Sequence, residues 1–142
     1  AIHIKEQEKL KGRTYNQHWV VFDKDDFPEN DFNSAILLAQ QNGFEVAYSN
    51  QAFEFWFLLH FNLYQGALHR SRYEKMLSAL LGFAYTKKSG VSSKMFNTLF
   101  SKQEQAINHA KTIMRQFDGN NPAQQESSTT VHLLVKELNK FL

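Results

Sequence analysis

An apolar run followed by three acids constrains this chain more than any other stretch. Residues 18–22 read His-Trp-Val-Val-Phe, and Asp23, Asp25 and Asp26 follow directly. A continuous apolar run of this length predicts a strand that is buried on both faces. Open α/β sheets bind ligands outside the carboxyl ends of their strands. Because carboxylates are the ligands that Mg²⁺ and Mn²⁺ prefer, the sequence indicates a metal site at this edge.

Alternating strand and helix signals predict the α/β fold class. A helix capped by Asn30 or Asp31 runs to about Gln41, and Phe44–Tyr48 predicts the next strand. A strand, a helix and a strand in about 30 residues form one βαβ unit, so the two strands are parallel neighbours. The expected architecture is a small, mostly parallel sheet flanked by helices, with a helical C-terminal lobe. Further helices are predicted over 2–10, 52–60, 71–81, 92–100, 101–117 and 129–142, with a flexible polar loop over 123–128.

The composition limits the class of protein. The chain has 142 residues, which is enough for one domain with a real core, and we treat residues 1–142 as that domain. The absence of cysteine excludes a disulfide framework and a thiolate metal site. No apolar run reaches the roughly 18 residues of a membrane span, and no secretory signal pattern is present. These features favour the cytoplasm.

The charges are unevenly distributed along the chain. Residues 1–60 contain five Lys or Arg and nine Asp or Glu, whereas residues 61–142 contain eleven and five. An acidic site beside a basic lobe suits an enzyme that binds nucleic acid while metal ions act on one phosphate. Solvated helix faces rich in lysine are the simpler explanation. The candidate nucleic-acid contacts in the basic segment are Arg70, Arg72, Lys87 and Lys88, the last two beside Tyr85.

The three acids after the first strand have different expected roles. Asp23 and Asp25 are alternate residues of a strand end, so their carboxylates point the same way and reach one ion or bridge two. Asp26 either adds a ligand or begins the turn at Phe27-Pro28. An Asp-rich turn that caps the next helix is the structural alternative. Acids this close repel one another without a cation, which favours a metal-binding role.

Polar residues further along are candidates for the same edge. Ser49 and Asn50 follow the second strand and either bind a phosphate or a metal-bound water, or cap the next helix. Glu54 lies in a very apolar helix, where an unpaired carboxylate is costly. It is therefore a third metal ligand, a general base or half of a salt bridge. His60 is either catalytic or bonded to the backbone, and His132 at a helix start is a candidate phosphate contact.

Four blocks of the sequence resemble the RloB-like family. The blocks occur in the family's order, and the resemblance spans most of the chain. They are Val20–Phe27 (Val-Val-Phe-Asp-Lys-Asp-Asp-Phe), Val46–Asn50 (Val-Ala-Tyr-Ser-Asn), Phe53–Phe61 (Phe-Glu-Phe-Trp-Phe-Leu-Leu-His-Phe) and Ser128–Val135 (Ser-Thr-Thr-Val-His-Leu-Leu-Val).

The resemblance implies a Toprim-type domain of bacterial restriction, phage-defence or abortive-infection loci. Toprim domains of topoisomerases, primases and overcoming-lysogenization-defect nucleases use an Asp-x-Asp pair and a glutamate from an earlier strand. They bind magnesium-like ions there and act on phosphodiesters. On this resemblance Asp23 and Asp25 bind the metal, and Glu54 is an additional candidate ligand. Such ions polarise the phosphate and lower the pKa of the attacking water.

One part of the family pattern is missing before Asp23. The family's N-terminal Glu-Gly…Thr-Glu segment, which supplies the Toprim glutamate, has no counterpart here. The only acids upstream are Glu6 and Glu8, and neither follows an apolar strand. We therefore expect the chain to lack one strand of the sheet and one catalytic acid, and to bind metal weakly or be inactive by itself.

Two other functions stay open at this point. A haloacid-dehalogenase-like phosphatase also places Asp-x-Asp after an apolar strand and a serine, here Ser49, after a later one. It needs a downstream acid pair, yet the acids after Glu54 are scattered. A non-catalytic module that binds an ATPase encoded nearby is favoured by the C-terminal helix, which we expect to be exposed, and by the missing glutamate.

Overall fold

Two parallel strands and the helix that connects them form one side of the computed structural model, which describes residues 1–87 and 90–142. The strands pair in register, with Trp19 opposite Glu45 and Asp23 opposite Ser49. The predicted βαβ unit is therefore confirmed. The elements of this side, in chain order, are α1 (Ile2–Leu10), β1 (Trp19–Asp23), α2 (Glu29–Gln41) and β2 (Glu45–Ser49).

A helical lobe covers the other side of the sheet. The predicted fold class, a small parallel sheet with a helical C-terminal lobe, is confirmed by this arrangement. Within the two described ranges, no helix combines the length and the apolar composition needed to cross a membrane. The helices of the lobe are α3 (Glu54–Leu58), α4 (Tyr73–Leu81), α5 (Ser92–Phe100), α6 (Gln103–Met114) and α7 (Val131–Leu138), with 3₁₀ turns at Arg70–Arg72 and Asn139–Phe141. A further 3₁₀ turn, Pro122–Gln124, packs against α2 on the opposite face of the sheet.

Each face of the sheet has its own apolar cluster. On one face Phe32 and Ile36 of α2 pack against Tyr48 of β2, and the rings of Phe32 and Tyr48 meet edge to face. On the other face Ala47 is fully buried in the main core of the lobe. A strand that contributes to both clusters is apolar on both faces, as β2 is at Val46, Ala47 and Tyr48 before the buried Ser49 at its end.

The prediction that β1 is buried on both faces is wrong at Val21. This side chain is 46% exposed, although its register partner Ala47 is completely buried. The reason is that the helical lobe covers β2 on this face and leaves β1 at the rim. In the described part of the chain, β2 is the only strand that pairs with β1.

The predicted flexible loop over 123–128 is instead packed into the protein. Four of its six side chains are buried. Gln125 accepts a hydrogen bond from the hydroxyl of Tyr48 at 2.7 Å, and the Ser128 carbonyl accepts one from the N–H of Asn50 at 2.9 Å. The polar composition that indicates a surface loop thus satisfies buried polar groups at the end of β2.

Helix boundaries differ from the predicted ones where one helix runs into the next. Ser101 is the C-cap of α5 and not the N-cap of α6, because the N–H of Lys102 turns back to the Leu99 carbonyl at 2.8 Å. α6 therefore begins at Gln103, two residues after the start predicted at residue 101. The apolar helix predicted over 52–60 is helical only from Glu54 to Leu58, and its burial is confirmed.

We expect Leu58→Ala to destabilise the protein strongly. Leu58 is fully buried in the core of the lobe, and removing a buried leucine side chain costs about 2–5 kcal/mol. Urea unfolding followed by circular dichroism measures this loss in the free energy of unfolding. The matched control is Leu37→Ala on α2, where the side chain is exposed and the expected change is within about 0.5 kcal/mol. Equal effects of the two substitutions would contradict this core.

Candidate active site at the carboxyl edge of the sheet

The backbone continues to pair beyond the ends of the two strands. The N–H of Lys24 donates to the Ser49 carbonyl at 3.0 Å, and the N–H of Asp25 donates to the Gln51 carbonyl at 2.9 Å. Asp25 then adopts a positive φ of 46°, a left-handed conformation that aspartate tolerates better than most residues. The simple strand alternation expected for Asp23 and Asp25 therefore ends at Asp23, and Asp25 begins the turn.

The fold raises the pKa of the Asp23 carboxyl group. A raised carboxyl pKa is common among functional acids. Burial raises the pKa of Asp23, and the backbone N–H of Phe53 works against that rise. The negative charges of Asp25 and Glu54 raise this pKa further, and the ammonium of Lys87 lowers it. Asp25 and Glu54 line one pocket together with Arg70 and Lys87, and Asp23 is the last residue of β1, opposite Ser49 at the end of β2.

Glu54 is buried and neutralised by a lysine. It is only 5% exposed; Lys87 Nζ lies 3.0 Å from its Oε1, and the Tyr85 hydroxyl donates to the same oxygen at 2.9 Å. Burial alone would raise the pKa of Glu54, but the hydrogen bonds and charge of Lys87 and the bond from Tyr85 outweigh it and lower the pKa. The salt-bridge alternative for Glu54 is thus present in this structure.

Arg70 binds the two remaining acids of the edge. One guanidinium nitrogen donates to Asp25 and the other to Asp26. The N–H of Arg70 is held by the side chain of Gln51 at 3.2 Å, which positions the guanidinium over the turn. Arg70 was a candidate phosphate contact, and here its partners are carboxylates. Arg72, two residues later, is exposed.

The side chains as arranged do not form a ready metal site. Within residues 1–87 and 90–142, no three His, Asp or Glu side chains are grouped so that they could hold an ion. The reason lies in the cations: Arg70 pairs with Asp25 and Asp26, while Lys87 pairs with Glu54. The repulsion among the acids that favoured a bound metal is relieved here by protein side chains.

Three candidate phosphate contacts have side chains that are buried and bonded inside the protein. The Ser49 hydroxyl lies 3.1 Å from the Thr129 hydroxyl. Asn50 donates its amide to the carbonyls of Pro122 and Ala123 at 2.9 and 2.8 Å. His132 Nδ1 lies 3.3 Å from the Thr129 carbonyl, and burial lowers the pKa of its imidazole. None of these three side chains faces solvent at the edge.

The remaining histidine and lysine candidates lie in different environments. His60 is buried with Nδ1 at 3.0 Å from the Trp56 carbonyl, and burial lowers its pKa, which matches the backbone-bonded alternative. Lys87 lies at the edge, bound to Glu54. Lys88 lies outside the described residues.

Sequence reasoning missed the cavity that adjoins this edge. Glu54 and Lys87 line a cavity of about 490 Å³ on one side and a second pocket with Asp25 and Arg70 on the other. The signal that could have revealed it is a pair of phenylalanines one helical turn apart in α5, because two aromatic side chains at this spacing lie on the same helix face. The apolar and aromatic side chains of the larger cavity include Trp56, Phe57, Met95, Phe96, Leu99 and Phe100.

Comparison with known proteins identifies the family. The family model described as RloB-like protein matches residues 1–138, nearly the whole chain. Neither a curated protein nor a solved structure matches the chain.

We expect Asp23→Asn to stabilise the fold at neutral pH. A carboxyl group whose pKa is raised in the folded state costs stability once it ionises, so the gain should appear as pH rises through that pKa and vanish in acid. The matched variant Asp25→Asn loses the ion pair with Arg70 and should not stabilise. Thermal unfolding at several pH values measures both. A stability loss in Asp23→Asn at neutral pH would show that the charged carboxylate is a structural requirement.

Proposed function

Because the chain belongs to the RloB-like protein family, we propose that it carries the acidic edge of a Toprim-like domain that cleaves phosphodiester bonds of nucleic acid. The setting proposed is bacterial restriction or phage defence. The observation that carries the proposal is that Asp23 ends β1 at the carboxyl edge of the parallel pair, while Asp25 and Glu54 line one pocket that also contains Arg70 and Lys87. Ligands of open α/β sheets bind at this position.

The ion proposed for this edge is Mg²⁺ or Mn²⁺. Carboxylate oxygens are the ligands that these hard ions prefer, and Asp23, Asp25 and Asp26 are the residues proposed to hold it. Asp25 and Asp26 are bound to Arg70 in this structure. An ion would therefore compete with the guanidinium for the same oxygens, which is consistent with weak binding by this chain alone.

Nucleic acid is the proposed partner because of the charge of the helical lobe. The segment from Arg70 to Arg115 contains nine basic residues and two acids. Lys87 is exposed and pairs with Glu54, and the exposed Arg72 follows two residues after Arg70, which binds Asp25 and Asp26. Basic side chains beside an acidic centre attract a polyanion and hold its backbone without reading its sequence.

A second candidate function is a non-catalytic module that binds a partner such as an ATPase encoded nearby. The specific observation in its favour is the apolar end of the chain, where Leu138, Phe141 and Leu142 are exposed. Pairing of the acids with Arg70 and Lys87 is compatible with this function as well. The phosphatase alternative lacks such support, because Ser49 is buried and bonded to Thr129.

We expect the double substitution Asp23→Ala with Asp25→Ala to abolish magnesium-dependent nicking by the full-length protein. Both carboxylates are proposed ion ligands, so their removal should eliminate the activity while the fold persists. Conversion of supercoiled plasmid to the nicked form measures it.

The matched control for nicking is Glu6→Ala with Glu45→Ala. It removes two exposed carboxylates on α1 and at the opposite end of β2, so activity should be retained. Undiminished nicking by the Asp23→Ala, Asp25→Ala protein would end the proposal of metal-dependent cleavage at this edge.

Arg70→Ala should strengthen the binding of Mn²⁺ to the chain. The substitution frees Asp25 and Asp26 from the guanidinium, and one unit of positive charge beside the ion is removed. Calorimetric titration with MnCl₂ measures the affinity, and a several-fold gain is expected. Arg72→Ala is the control, because it removes an equal charge from an exposed neighbour. Absence of Mn²⁺ binding at millimolar concentration in every variant would favour the partner-binding module.

A further inference from the structure

An aromatic cavity lies directly beside the acidic edge. Its volume of about 490 Å³ falls within the range of about 300–1,000 Å³ that small-molecule sites occupy. Glu54 and Lys87 line both this cavity and the neighbouring pocket that contains Asp25 and Arg70. One ligand could therefore occupy both the cavity and the pocket at the acidic edge.

Two exposed phenylalanines of α5 line this cavity. Phe96 is 61% exposed and Phe100 is 53% exposed, and their ring centroids are 5.2 Å apart. The buried face of the same helix is supplied by Met95 and Leu99, which belong to the main core. The pair is thus not required to fill the core, and an exposed aromatic patch at a cavity is typical of a binding surface.

The charges around the cavity select the kind of group that fits it. Glu54 is neutralised by Lys87 at 3.0 Å, so the inner wall suits an uncharged aromatic group more than a phosphate. Outside it, the ammonium of Lys94 lies 4.1 Å from the Phe83 ring centroid and that of Lys102 lies 5.8 Å from the Phe61 ring centroid. These lysines stand in the first turn of α5 and just after its end, outside the cavity lining, and they add positive charge at both ends of the helix.

We propose that the cavity binds one unstacked base of a single-stranded nucleic acid against Phe96 and Phe100, with Lys94 and Lys102 adding positive charge at the two ends of α5. The inference rests on the proposed function, since it assigns part of the same substrate. Stacking on aromatic rings is sequence-tolerant because every base has a π-face. Thr86, Ser92 and Gln103 at the cavity wall provide polar groups for the edge of the base.

The test compares two labelled oligonucleotides of equal length and charge, one of thymidines and one of abasic sites. Fluorescence anisotropy with the full chain in EDTA measures binding without cleavage or metal. We expect the thymidine oligonucleotide to bind about tenfold more tightly, as one stacked base provides. Phe96→Ala with Phe100→Ala should remove this preference. Phe141→Ala, which removes an exposed phenylalanine elsewhere, should keep it.

Several results would overturn the inference. Equal affinity for the two oligonucleotides, no binding of either, or a preference that survives Phe96→Ala with Phe100→Ala would each do so. Sedimentation of the same variants gives one more result that would overturn the inference. If the double substitution only converts a dimer into a monomer, this face is an interface between copies of the chain. Both phenylalanines are exposed, so unchanged thermal unfolding should confirm that the variants fold.

The design also separates this inference from the proposed cleavage. The Asp23→Ala, Asp25→Ala protein should keep the preference for bases, because neither acid lines the cavity. A base preference in a protein that cleaves nothing would reject the cleavage and support the cavity. Cleavage that depends on Asp23 and Asp25 without any base preference would reject the cavity alone.

Discussion

The pairing of residues 128–130 with the end of β2 determines which side chains at the sheet edge are accessible. The N–H of Thr130 donates to the Tyr48 carbonyl at 2.8 Å, and the N–H of Tyr48 donates to the Thr130 hydroxyl at 2.9 Å. This pairing joins the start of α7 to the strand. It encloses Ser49, which is fully buried, and leaves Asp23 of the neighbouring strand half-buried. The acids, and not the polar residues of β2, are therefore the groups that an incoming ligand meets.

The acids at this edge differ in how the fold compensates their charge. Asp25 and Asp26 have Arg70, and Glu54 has Lys87 with Tyr85. The pKa of Asp23 is raised, because burial and two neighbouring carboxylates outweigh the Phe53 N–H and Lys87. A carboxylate that is held at a stability cost among compensated neighbours is typical of a group kept for function.

The sequence predicts local elements well here and long-range partners poorly. The apolar runs of β1 and β2 and the helix between them are local patterns, so the parallel pair and its terminal acids are predictable. Arg70 lies 45 residues from Asp25, and no periodicity links them. The sequence indicates that Ser49 is an exposed strand end, but in the structure it bonds to Thr129, 80 residues away. Local sequence patterns do not show that a distant segment buries polar residues, so the burial of these three candidate phosphate contacts could not be predicted.

The Glu54–Lys87 pair connects the acidic edge with the aromatic cavity and makes their properties interdependent. Lys87 lowers the pKa of Glu54 and also lowers that of Asp23. A phosphate that drew Lys87 away would leave Glu54 buried without its cation, and a buried unpaired carboxylate is costly. Two outcomes relieve that cost: Glu54 takes up a proton, or a divalent cation enters beside it. Under the proposed function, substrate and metal therefore bind cooperatively, because each supplies the charge that the other leaves unbalanced.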